Sequence, residues 1–276
     1  VAESARNVSC VGAEPVAITN NLNFCSPETD IGYWQLSSSC SGISEACKVL
    51  ETPVTGGNVS LYNESKNNDN KITPINPTPV IGMVGKIDNV NKAISSEWKN
   101  IDDHIWIIGS YKSETTLAAS SYLDFFHGEI TGRPPKIDLL DEKFCQSFIR
   151  NSILKNFVVS SHDISDGGLA IALAECCILS SKGATIELQL DEECKREDNL
   201  LFAEGGSRII FSIDKKKEQE WLNYVENIKK NFQSSVYLKQ IGYVSNKSFK
   251  IKIQEKNICD IRVEELTEKF NNSISG

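Results

Sequence analysis

Helical and strand-like patterns alternate along almost the whole chain, and this order limits its architecture more than any other feature. Ala2 to Val11 has helical spacing and stops at Gly12, a residue suited to ending a helix. Pro15 to Thr19 reads as a buried strand that ends in the polar run Asn20-Asn21, then Asn23. Residues 30–50 read as an amphipathic helix with Ile31, Trp34, Ile43, Ala46, Cys47 and Leu50 facing inward. Val54 and the residues around Ser60-Leu61 read as a strand broken by Gly56-Gly57. Ser65 to Asn76 reads as a polar loop and Thr78 to Ile87 as a β-branched strand.

A polar joint from Glu97 to Asp103 precedes a new buried strand, His104 to Gly109. Beyond it, Thr115–Phe126, Asp141–Leu154, Gly168–Leu179, Lys215–Phe232 and Val263–Phe270 have helical patterns. Val158–Ser161, Ala184–Leu188, Arg208–Ile213, Val236–Val244 and Phe249–Ile253 are strand candidates. Such an order predicts an α+β fold with a mixed sheet and two layers, divided near residue 100 into domains 1–100 and 101–276.

With 276 residues, 40% of them hydrophobic, the chain can fill two modest cores. It contains no run of 18 apolar residues, so no membrane span is expected. A net charge of −8 argues against nucleic acid as the main partner, because phosphate backbones need a basic face. The nine cysteines are scattered, without a Cys-x-x-Cys or a zinc spacing, which fits unpaired thiols in a reducing compartment such as the cytoplasm. The chain opens on Val1 rather than Met, as expected of an excised or processed piece.

Three polar, glycine-containing segments stand out as candidate sites. In Thr52–Glu64, Gly56 and Gly57 permit close backbone approach, Asn58 offers an oxygen to a hard cation, and Ser60 offers a hydroxyl. The same residues suit a bulge or tight turn. In Ser160–Leu169, a strand leads through His162, Asp163, Ser165 and Asp166 to Gly167-Gly168 at a helix start, where an anion can sit. Equally, Ser165 or Asp166 can cap that helix, with His162 hydrogen-bonded in the core. In Leu201–Ile210, Glu204-Gly205-Gly206-Ser207-Arg208 suits either phosphate binding through backbone N–H groups or a structural turn.

Several ordered strings carry a family resemblance: Ala2-Glu3-Ser4-Ala5-Arg6-Asn7-Val8, Tyr33-Trp34-Gln35-Leu36, Gly57-Asn58-Val59-Ser60-Leu61-Tyr62-Asn63, Pro77–Gly85 and Ser161–Leu169. The chain resembles the large synthetase subunit of phosphoribosylformylglycinamidine synthases, within the aminoimidazole ribonucleotide synthetase-like superfamily. The resemblance implies a partial ferredoxin-like dimerising domain followed by an αβ domain of the aminoimidazole ribonucleotide synthetase C-terminal type. On that basis residues 1–100 are a truncated ATP-binding synthetase domain and residues 101–276 its C-terminal αβ domain, both from the second copy of a duplicated pair.

The implied activity is that of a C–N ligase of purine biosynthesis. It converts formylglycinamide ribonucleotide, ATP and glutamine-derived ammonia into formylglycinamidine ribonucleotide, with ATP and Mg²⁺ as cofactors. The implied partners are a glutaminase subunit, a small accessory subunit and the N-terminal half of the same subunit. Carried over by position, Asn20 and Gly57 fall where ATP is contacted, Asn58 where Mg²⁺ is bound and Ser60 where substrate is met. Asn20 replaces a family aspartate in Thr-Asp-x-Leu-Asn-Phe. No catalytic residue is carried over, since the family's catalytic histidine lies in the first half, and this piece alone is expected to be inactive. Two alternatives remain at this point: a nucleotide-holding half without chemistry, or a sister synthetase of the same superfamily.

Overall fold

The computed structural model describes residues 1–66, 71–192, 194–230 and 235–273. The chain divides into two compact units, one of Val1–Ser9 with Ala13–Asp88 and one of Cys10–Gly12 with Asn89–Gly276.

The first unit runs α1 (Ala2–Cys10), β1 (Glu14–Asn23), α2 (Asp30–Leu50), β2 (Val54–Ser60), β3 (Glu64–Lys66), β4 (Ile72–Pro74) and β5 (Thr78–Lys86). Its main sheet has the order β2-β1-β5, with β1 parallel to β2 and antiparallel to β5. Because side chains alternate across a strand, Ile18, Asn20 and Leu22 share one face of β1. Ile18 and Leu22 are buried there. Helix α1 lies over the same side at Gly85, where a Cβ would come 2.3 Å from Val8 Cγ1, so only glycine fits. On the opposite face Thr19, Asn21, Val80 and Val84 are exposed. One-sided cover corrects the expectation of a buried strand at Pro15–Thr19.

Helix α2 begins at Thr29, whose hydroxyl accepts the Gly32 N–H at 3.1 Å. Its buried positions are Gly32, Ala46, Cys47 and Leu50. Ile31 and Trp34, expected to face inward, are about two-thirds exposed at 68% and 66%. Apart from Gly32, the buried positions fall in the last turns of this 21-residue helix, and the apolar residues near its start lie outside. Nor is β2 broken by its glycines. It runs unbroken from Val54 to Ser60, and the irregularity is a bulge at Thr55. The polar loop expected at Ser65–Asn76 contains the antiparallel pair β3–β4, and residues 67–70 lie outside the described residues.

The second unit contains β6 (His104–Ser110), β7 (Thr115–Thr116), α3 (Ser121–His127), α4 (Leu139–Leu154), β8 (Val158–Asp163), α5 (Gly168–Ser180) and β9 (Gly183–Leu188). It continues with α6 (Glu197–Phe202), β10 (Glu204–Gly205), β11 (Ile209–Ile213), α7 (Glu218–Lys230), β12 (Val236–Ser245), β13 (Ser248–Ile253), β14 (Lys256–Arg262) and α8 (Val263–Asn272). Seven strands form one sheet in the order β14-β13-β9-β12-β6-β11-β8, antiparallel except where β13 meets β9. Both faces are covered. Trp106 and Ile108 of β6 join a core with Phe148 and Ile149 of α4 and Trp221 of α7. Ile105 and Ile107 join another with Leu169 and Leu173 of α5 and Val263 of α8. Cover on both sides explains why β6 reads as a continuous apolar run.

Local chemistry moves several boundaries. The helix expected over Thr115–Phe126 starts only at Ser121, because Ser120 caps it by accepting the Leu123 N–H and Thr115–Thr116 pair with β10. The helix expected over Lys215–Phe232 appears as α7, preceded by a short 3₁₀ turn at Lys215–Lys217, and Phe232 lies outside the described residues. In the polar joint, Trp98 is buried, its indole N–H reaching Cys177 Sγ at 3.4 Å. All nine cysteines are free thiols. Burial pushes Cys177 up to about 12, so it behaves as a small apolar side chain.

Trp221 is fully buried among Trp106, Phe148, Phe157, Phe211 and Tyr224, with ring centroids 5.6 to 5.9 Å away. Trp221→Ala is expected to cost about 3–5 kcal/mol in urea unfolding, as for other large core truncations. A loss under about 1 kcal/mol would contradict this packing role.

Candidate functional site

The four residues carried over from the resemblance fall on the paired strands β1 and β2. Across the parallel register Asn20 stands opposite Gly57, Asn21 opposite Asn58, and Asn23 opposite Ser60. Alternation then places Asn20 and Gly57 on the helix-covered face, and Asn58 and Ser60 on the open face. On the covered side, a Cβ at Gly57 would lie 2.0 Å from Asn20 Oδ1. The same Cβ would lie 2.5 Å from the Asn20 backbone oxygen, which cannot swing away, so glycine is required. Asn20 also lines a cleft of about 600 Å³ with Leu22, Ile43, Cys47, Lys48 and Val54.

On the open face the donors are neutral. Asn58 Nδ2 and Asn23 Nδ2 both approach Asn21 Oδ1 at 3.4 Å. Ser60 Oγ lies 3.2 Å from Asn63 Oδ1. No group of three His, Cys, Asp or Glu side chains able to hold a metal occurs among the described residues. The Asn58 side chain could offer a Mg²⁺ ion only a single uncharged oxygen.

The second segment forms the end of β8 and the start of α5. His162 lies between two carboxylates, with Nδ1 3.2 Å from Asp163 Oδ1 and Nε2 3.0 Å from Glu175 Oε2. Burial opposes its protonation, but the hydrogen bonds and charges of Asp163 and Glu175 outweigh that and raise it to about 9. Neither Ser165 nor Asp166 caps α5. The cap position is Gly167, at φ 74°, without a side-chain bond of its own. At Gly168 a Cβ would meet the backbone of Leu201, Phe202 and Ala203 at 2.7–2.8 Å, so α5 starts in direct contact with that segment.

The third segment supplies a carboxylate to the start of α5. Glu204 Oε1 accepts the Gly167 N–H at 2.8 Å and the Ser121 N–H at 2.9 Å, tying the starts of α5 and α3 to one carboxylate. Arg208 is buried and donates to Gly205 O at 3.1 Å and Ala203 O at 2.5 Å. Ser207 is buried against Ser113, with their hydroxyls 3.2 Å apart. These side-chain bonds show the structural part of the turn reading, with Arg208 held by carbonyls. Sequence reasoning did not find Glu175 as a partner of His162 or Glu204 as a shared cap, because both pairings join residues distant along the chain. The same applies to a cavity of about 640 Å³ bordered by Tyr111, Arg208, Tyr237 and Lys239.

Loss of the two Glu204 bonds in Glu204→Ala is expected to lower stability by about 1–3 kcal/mol in urea titration. No change would show that the two N–H groups find water equally well. For His162, a folded-state pKa of about 9 against an ordinary 6.5 means that its contribution to stability is complete below pH 6.5. That contribution is lost as pH rises through about 9. The urea midpoint should therefore fall across this interval more steeply in the parent chain than in His162→Gln. Parallel curves would refute the paired, protonated histidine.

A family model described as AIR synthase related protein, N-terminal domain, matches residues 1–87, and one described as AIR synthase related protein, C-terminal domain, matches residues 100–251. The chain is 83% identical, over all 276 residues, to phosphoribosylformylglycinamidine synthase subunit PurL of Prochlorococcus marinus (strain MIT 9312), and covers 35% of that protein. It thus spans about a third of the length of the curated relatives it matches. T. maritima PurL complexed with ATP shares the fold with a TM-score of 0.67 at 17% identity, over 97% of this chain and 40% of that one. T. maritima PurL complexed with FGAR gives a TM-score of 0.67 at 18% identity, over 96% and 42%.

Proposed function

The chain belongs to the AIR synthase-related protein family, and from that premise we propose that it is the C-terminal part of an ATP-dependent phosphoribosylformylglycinamidine synthase. The observation that carries this reading is the 83% identity to a PurL subunit across the full 276 residues. In the complete enzyme, ATP phosphorylates the formyl amide oxygen of formylglycinamide ribonucleotide, releasing ADP. Ammonia from a glutaminase subunit then attacks that carbon and phosphate leaves, giving the amidine. A small accessory subunit and the N-terminal half of the same subunit complete the assembly, in the cytoplasm.

In this reading residues 1–100 are the second-copy synthetase domain and residues 101–276 the αβ domain beside it. The Gly57 backbone and the Asn20 amide contact the nucleotide, Asn58 gives one oxygen to Mg²⁺ and Ser60 meets the ribonucleotide. Bound Mg²⁺ would supply charge neutralisation of the phosphates. Strand β2 is an edge of the described sheet, so both of its faces and its outer backbone groups are within reach of one ligand. Asn20 is an amide and keeps the hydrogen-bonding capacity of a carboxamide without a negative charge. That neutrality favours the second reading, in which this half holds a nucleotide without doing chemistry.

Titration calorimetry of this chain with ADP or ATP is expected to show Mg²⁺-dependent binding that Asn58→Ala removes, while amidine formation stays absent. Substrate-dependent turnover by the isolated chain would overturn the assignment of chemistry to the other half. If the folded chain fails to bind, Asn20→Asp separates a disabled site, which regains binding, from a site shared with the missing half, which does not.

A further inference from the structure

The end of β2 is held by one amide. Tyr62 adopts φ 61°, in the left-handed region that a bulky residue rarely occupies, and its hydroxyl donates to Glu28 Oε1 at 3.2 Å. This reversal turns the side chain of Asn63 back towards Ser60. Asn63 Nδ2 lies 2.9 Å from Ser60 O, 3.1 Å from Phe24 O and 3.1 Å from Ser60 Oγ. Its backbone N–H donates to Phe24 O at 3.2 Å, and Phe24 N–H donates to Ser60 O at 3.0 Å.

Hydrogen bookkeeping at this amide determines the polarity of Ser60. An Asn side chain has two N–H bonds and one acceptor oxygen. Two backbone carbonyls, which can only accept, take both N–H bonds. Asn63 Oδ1, 3.2 Å from Ser60 Oγ, is then the acceptor for the Ser60 hydroxyl proton. With its proton committed, Ser60 Oγ turns its lone pairs outward, towards an N–H or O–H donor of a ligand.

We infer that Asn63 is a positioning residue for Ser60, orienting that hydroxyl as an acceptor for a donor group on the ribonucleotide. The inference rests on the reading of Ser60 as a substrate contact. Asn63 itself touches Phe24, just past β1, and Ser60 of β2, and acts through Ser60.

The test uses the full-length synthetase with ammonia as nitrogen source, comparing Ser60→Ala, Asn63→Ala and the double variant. Asn63→Ala is expected to raise KM for formylglycinamide ribonucleotide about five- to tenfold, as for loss of one hydrogen bond, with KM for ATP and kcat near the parent values. The double variant should be no worse than Ser60→Ala. If Asn63→Ala does not fold, Asn63→Ser provides the same readout. A substrate KM unchanged in Ser60→Ala overturns the substrate-contact reading and the role of Asn63 with it. A raised KM in Ser60→Ala, with Asn63→Ala normal, additive or equally damaging to KM for ATP, overturns the positioning role alone.

Discussion

The parallel pairing of β1 with β2 is the constraint on which the first unit's candidate site depends. It sets Asn20 against Gly57 and Asn58 against Asn21 in consecutive register steps. The pleat then sends neighbouring residues to opposite faces. Four residues within a few positions of one another therefore serve two surfaces: a cleft under α2 and an open amide-rich face. Gly57 is needed because the Asn20 backbone oxygen lies against it, rather than because the strand breaks there.

In the second unit the corresponding constraint is electrostatic. Two helix starts present N–H groups that have no partner within their own helices. The Glu204 carboxylate meets one from each. Arg208, four residues on, is spent on the carbonyls of Gly205 and Ala203. Apolar layers cover both faces of the sheet beneath, whereas the first unit's sheet leaves valines such as Val80 and Val84 exposed.

The comparisons and the geometry bear on different questions. Identity across the full chain makes it similar to a PurL subunit, of which it covers 35%. The geometry describes what the two strands present: neutral oxygens, backbone groups on an edge strand and a hydroxyl beside Asn63.

Most elements were legible from the sequence because their signals are local. The apolar run at His104–Gly109, the α4 and α5 periodicities and the β-branched stretch at Thr78–Ile87 each carry their period within a few residues. The ordered family strings likewise pointed to the synthetase reading without any structure. What failed depended on neighbours far along the chain. Ile31 and Trp34 lie outside although the helical pattern points them inward, and Pro15–Thr19 is half-covered because its alternate residues face solvent. Strand register decided which face Asn20, Asn58 and Ser60 occupy. Tertiary contact decided that Glu204 caps α5 and that Glu175 holds His162. Local propensity is written in adjacent residues, but register and long-range pairing exist only once separate segments meet.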